Sequence, residues 1–153
     1  MKITELVKMF RQDLFLPGLK NPSKALVMEE LVQPLVTEGL VKSKGLVLET
    51  LSKRETLGST GIGKGVAVPH CRTLAVSDVH IVVGISKNGV DFNAIDKKPV
   101  HLFFLIVAPP IDGDNLYLPI LGKIVETVRD TKLRQAMAGA RDFATFLKIF
   151  QGD

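Results

Sequence analysis

The chain has one cysteine, one tyrosine and no tryptophan in 153 residues. A single cysteine, Cys71, excludes an intrachain disulfide and a cysteine-based zinc site, and it suits a reducing cytoplasm. Long apolar runs are missing as well. The longest, Val100 to Pro110, is about half of the ~20 residues that a membrane helix needs. The first residues, Met1-Lys2-Ile3-Thr4-Glu5-Leu6, are charged from the start and lack the apolar centre of a signal peptide. The expectation is a soluble, cytoplasmic protein that does not insert into membranes. Nor is there a block of one charge. The 20 Lys and Arg are interleaved with 16 Asp and Glu, for a net charge of +4. Such a dispersed excess reads as a solvated surface, and no aromatics alternate with the basic residues, so no nucleic-acid partner is expected. Internal repeats, low-complexity segments and long linkers are also lacking.

What is present is aliphatic bulk. Hydrophobic residues make up 46% of the chain, enough for a single domain over residues 1–153 with a proper core. Ile3, Leu6, Val7 and Phe10 are spaced for a short helix over 3–10. Asp13 to Pro17 reads as a short strand. Asn21-Pro22 suits a helix start, with Asn as cap and Pro in the first helical position. Met28, Leu31, Val32 and Leu35 follow at helical spacing to Gly39, with Pro34 set to kink that helix or end it early. Ser43 caps a second helix, reaching about Arg54. Strands are expected at Val66–Val68, Val79–Ile85 and Val100–Ala108. The last, the most hydrophobic stretch of the chain, reads as a central strand covered on both faces. Asn88-Gly89 signals a turn, with Val90-Asp91-Phe92 beyond it as a hairpin-like excursion. Three helices end the chain: one to about Arg129, one capped by Thr131 and one capped by Asp142. The fold class is α/β, a single-domain sandwich with a mixed sheet and helices on both faces.

The stretch that points to chemistry is Ser59 to Arg72. Gly61, Gly63 and Gly65 alternate, suiting a loop with positive φ or close backbone approach. Val66-Ala67-Val68 then leads through Pro69 to His70 at a strand end, with Lys64 and Arg72 near in sequence. An imidazole unprotonated near neutral pH is a nucleophile, and arginine with backbone N–H donors stabilises a transferring phosphoryl group. The glycines do not make a dinucleotide or NTP site. They lead into a strand rather than opening a helix, and Lys64 is followed by Gly65 instead of Ser or Thr. His80 and His101 lie in expected strands with no carboxylate at ligand spacing, so neither a metal nor a cofactor is expected. Cys71 points away from His70 if the strand continues. Arg54, ending its helix, is suited to the dipole there.

Leu51-Ser52-Lys53-Arg54-Glu55, then Gly58-Ser59-Thr60-Gly61-Ile62-Gly63 and Gly65 through Pro69-His70, resembles the enzyme IIA domains of the phosphotransferase system, fructose/mannitol class. The nitrogen-regulatory IIA-like proteins belong to that class. The resemblance continues through Phe92-Asn93-Ala94-Ile95-Asp96, Pro99-Val100 and Ala108-Pro109, over nearly the whole chain. It implies that His70 accepts a phosphoryl group from the phosphocarrier protein HPr or a nitrogen-branch paralogue, and that Arg54 pairs with the phosphate. Thr60, Gly61 and Gly63 are added here as candidates for orienting the imidazole or the phosphate. Where many members carry a second histidine in a His-Leu pair, this chain has Asn115-Leu116. Asparagine donates a hydrogen bond but takes no proton or phosphate.

Three functions follow as expectations. The first is a phosphoryl carrier acting mainly as a regulatory protein that binds its targets differently in its two states; no IIB or IIC sequence accompanies the domain. The second is a sugar-transport component relaying phosphate to a IIB domain for fructose- or mannitol-like sugars. The third is a binding module without phosphoryl transfer, against which Arg54 and His70 stand.

Overall fold

A computed structural model describes residues 1–152. The central strand is β6, Val100–Ala108. Its side chains alternate between two cores. Phe103, Leu105 and Val107 join one cluster, while Leu102, Phe104, Ile106 and Ala108 join the other. Period-two alternation with both sets apolar is what a strand covered on two faces requires. Helices α2 (Lys24–Thr37) and α3 (Lys44–Thr56) cover the first face through Val27, Leu31, Leu35, Val47 and Leu51. Helices α1 (Ile3–Leu6), α4 (Tyr117–Val128), α5 (Thr131–Ala138) and α6 (Phe143–Gln151) cover the second. There Phe10, Phe104, Phe146 and Phe150 form a tilted and edge-on aromatic group, adding directional contacts to the buried area.

The mixed sheet runs in the order β1-β5-β6-β3-β2, with β1 at Phe15–Leu16, β2 at Gly61–Gly63, β3 at Val66–Ala67 and β5 at His80–Val90. A further strand, β4 (His70–Arg72), pairs in parallel with the far end of β6. The α/β sandwich with helices on both faces is therefore present. No described helix is long and apolar enough to cross a membrane.

Several local expectations are corrected. Helix α2 is capped by Ser23, whose Oγ accepts from Leu26 N. Asn21 is occupied otherwise, its backbone N–H and side-chain amide both donating to Glu30 Oε1. Pro34 does not end α2, which continues to Thr37 and closes at Gly39 with φ +69°. The first helix stops at Leu6 and tightens into a 3₁₀ turn, Val7–Met9, and the following strand shrinks to Phe15–Leu16. Asp130, not Thr131, caps α5 by accepting from Leu133 N. Asn88-Gly89 is no hairpin turn. The strand continues to Val90, still paired with β6 at Val100, and the extra residues are taken up as an irregularity after Ile85, with Gly89 at φ +87°. A turn dipeptide supplies the same positive φ to a bulge, and the choice is made by the partner strand.

The glycine stretch is likewise not an open loop. Gly61–Gly63 is a strand hydrogen-bonded antiparallel to β3. Lys64 and Gly65, at φ +58° and +80°, make the two-residue turn whose twist suits a hairpin. Gly61 is needed for packing, since a Cβ there would lie 2.8 Å from Ala94 Cα.

Candidate functional site

Pro69 separates β3 from β4, so His70 does not end a strand but begins one. It pairs with Ile106, Cys71 with Val107, and Arg72 with Ala108. Among the described residues, β4 pairs within the sheet with β6 alone. The alternation of β4 sends Cys71 into the core, 5% exposed, and leaves the half-buried His70 and exposed Arg72 outward. Burial pushes the Cys71 thiol up to about 12, so it holds its proton at neutral pH.

A cleft of about 600 Å³ opens at this edge. The end of α3 contributes Arg54 and Leu57, β4 contributes His70 and Arg72, and the start of α4 contributes Tyr117 and Leu118. The Nδ1 of His70 is 2.7 Å from the carbonyl oxygen of Val68. A carbonyl only accepts, so Nδ1 donates, and in the neutral ring the lone pair then lies on Nε2. The guanidinium of Arg54 donates to the Gly58 carbonyl at 3.0 Å, leaving other donors of its fork for an anion. The next residue in α3, Glu55, anchors this corner. Its carboxylate accepts from Thr60 N at 3.1 Å and Thr60 Oγ1 at 2.6 Å, and pairs with Lys24 Nζ at 2.7 Å.

The cleft thus unites His70 and Arg54, far apart in sequence. Thr60, Gly61, Gly63 and Asn115 are not among its lining residues. Thr60 is 3% exposed and spent on Glu55. Gly61 N donates to Ser59 Oγ, and Gly63 sits in the β2–β3 pairing. Asn115 is exposed in a turn at φ +52°. In that turn Asp112 accepts from Leu116 N and Tyr117 N and starts α4.

Sequence reasoning missed Tyr117 and undervalued Arg72. The Arg72 guanidinium lies over the Tyr117 ring at 4.4 Å, and the Tyr117 and His70 rings are 6.1 Å apart. The signal was faint: the single tyrosine stands two residues beyond Asn115, and only the start of α4 turns it inward.

Comparison with known proteins follows the same lines. Residues 8–152 match the model of the family described as phosphoenolpyruvate-dependent sugar phosphotransferase system, EIIA 2. The chain is 33% identical over 149 residues to the PTS system fructose-specific EIIABC component of Bacillus subtilis, covering 97% of this chain but only 23% of that protein. It is 32% identical over 142 residues to the nitrogen regulatory protein of Bradyrhizobium diazoefficiens, covering 93% of this chain and 90% of the relative. The crystal structure of nitrogen regulatory protein IIA-Ntr from Neisseria meningitidis matches with a TM-score of 0.86 at 27% identity, covering 95% of this chain and 99% of that one.

Proposed function

Because the chain belongs to the EIIA 2 family of the phosphoenolpyruvate-dependent sugar phosphotransferase system, we propose that it accepts a phosphoryl group on His70 and acts mainly as a regulatory protein. The observation that carries this reading is the His70–Val68 hydrogen bond, which leaves Nε2 as the nucleophilic nitrogen in a cleft shared with Arg54. Nε2 attacks the phosphorus of a phosphohistidine on HPr or its nitrogen paralogue. As the new N–P bond forms, the old one breaks, and its electron pair returns to the carrier's nitrogen. Arg54 offers a planar set of donors to the phosphoryl oxygens, and the Val68 carbonyl holds the Nδ1 proton on the ring as it gains positive charge.

A protein donor and protein targets fit the rim. Leu57 and Leu118 are 83% and 64% exposed beside the cationic cleft, a mixed apolar and charged surface suited to docking. A phosphoryl group adds about 1.5 to 2 negative charges there, enough to make or break such a contact. The regulatory reading draws support from the near full-length likeness to a nitrogen regulatory protein. The likeness to a fructose-specific component supports the second reading, a relay to a IIB domain.

Loading the protein with phosphoenolpyruvate, enzyme I and either carrier, then adding purified IIB domains, separates the two. Retention of phosphate with all IIB domains, together with a target bound by only one of the two states, is the expected result. Rapid discharge onto a IIB domain would establish the relay instead.

A further inference from the structure

The first residue of α4, Tyr117, is 6% exposed, yet its hydroxyl has no hydrogen-bond partner among the described residues. No buried side-chain oxygen or nitrogen among those residues is left without a partner, so the hydroxyl is not sealed in the core. Tyr117 lines the cleft together with His70, Arg54 and Arg72, and the charges of Arg72 and Arg54 both act on its phenol. The ring is held from two sides. Arg72 stacks on its face at 4.4 Å, and the His70 ring lies 6.1 Å away, inclined at 54°. The α4 start is fixed by the Asp112 carboxylate, which accepts from the Tyr117 backbone N–H at 3.0 Å. Burial pushes the phenol up to about 12, Cys71 adds to this, and the charges of Arg72 and Arg54 pull against it. The hydroxyl therefore keeps its proton and is a donor at neutral pH. An unpartnered donor on a fixed ring, in a cleft shared with a nucleophile and two arginines, is suited to an anion.

We propose that Tyr117 is a catalytic residue of the phosphoryl transfer, its hydroxyl donating a hydrogen bond to an oxygen of the phosphoryl group on its way to His70 Nε2. This rests on the reading of His70 as phosphoacceptor. The proton stays on the tyrosine, and the only bonds exchanged are the N–P bond that forms at His70 and the N–P bond that breaks in the donor. It also assigns the stacked Arg72 a purpose, since a cation on the ring face fixes the ring and strengthens the hydroxyl as a donor. Asn115, exposed in its turn, has no part in this.

Phosphoramidate tests the idea without any carrier protein. It transfers its phosphoryl group to an imidazole nitrogen and leaves as ammonia. Phosphorylation of wild type, Tyr117→Phe and His70→Ala is followed by intact mass over a range of phosphoramidate concentrations, with melting temperature recorded for each. Phenylalanine keeps the ring under Arg72 and removes only the hydroxyl. The expected result is a limiting rate about 10- to 100-fold lower in Tyr117→Phe with an unchanged half-saturating concentration, the mark of an interaction made in the transition state. A rate within about twofold of wild type overturns the proposal. So does a raised half-saturating concentration with an unchanged limiting rate, whatever the melting temperature does. Wild type that gains phosphate from phosphoramidate but from no carrier contradicts the carrier function and leaves the Tyr117 comparison to be decided by the same rates. Wild type that gains none from phosphoramidate overturns the proposal for Tyr117, and the carrier function is then read separately from loading with phosphoenolpyruvate, enzyme I and either carrier.

Discussion

His70 Nδ1 donates to the carbonyl oxygen of Val68 across 2.7 Å, spanning Pro69 within one chain segment. The bond selects a tautomer before any partner arrives. Phosphate is accordingly expected on Nε2, and heteronuclear NMR of the ¹⁵N-labelled phosphorylated protein distinguishes the two nitrogens. A phosphorus coupled to Nδ1 would show that the ring has turned away from Val68.

Arg54 should matter for rate and little for stability. Among the described residues, its side chain makes one hydrogen bond, to the exposed Gly58 carbonyl. Removing a donor aimed at a transferring phosphoryl group costs about 10²-fold in rate, whereas surface changes of this kind stay within about 0.5 kcal/mol of stability. Arg54→Ala is expected to slow phosphorylation by about that factor with an unchanged denaturation midpoint, and Arg54→Lys to recover only part of the rate because it lacks the planar fork.

Glu55 shows the opposite pattern. Among the described residues, it alone satisfies the buried Thr60 hydroxyl and amide, and it holds Lys24. Glu55→Ala strands these groups and should cost about 1–3 kcal/mol, read in urea denaturation as a lower midpoint at constant slope.

Cys71, adjacent to the candidate nucleophile, should be inert. Its thiol is buried and pushed up to about 12, so the reactive thiolate is scarce at pH 8. A thiol reagent is expected to label it slowly in the native protein and promptly in urea. Prompt native labelling would mean that β4 opens readily.

His80 makes stability depend on pH. Burial lowers its pKa below the ordinary 6.5, with Asp78 opposing. Below pH 6.5 the unfolded chain binds the proton more readily, so stability is full above that value and falls as pH drops toward the folded pKa. His80→Asn should flatten this part of the pH profile of the melting temperature; an unchanged slope would assign it elsewhere.

The large features were legible because they follow from periodicity. The apolar run at Val100–Ala108 announces a doubly covered strand, and Met28 to Leu35 announces the core face of α2. What stayed hidden was decided between elements. Gly61 reads as a ligand-loop glycine in sequence, but its reason is the Ala94 backbone against it. Asn88-Gly89 reads as a turn until β6 claims both sides of it. Arg54 was brought to His70 by family likeness alone, because its placement depends on how α3 packs on β4. Tyr117 was missed because a helix start moves it inward while Asn115, two residues earlier, faces solvent.

The most direct test is the intact mass of the protein after incubation with phosphoenolpyruvate, enzyme I and HPr or its nitrogen paralogue, with His70→Ala in parallel. One phosphoryl group on the wild-type chain and none on His70→Ala is the predicted result. A wild-type chain that gains no phosphate from either carrier, or a His70→Ala chain that still gains one, would contradict the assignment of His70 as the acceptor.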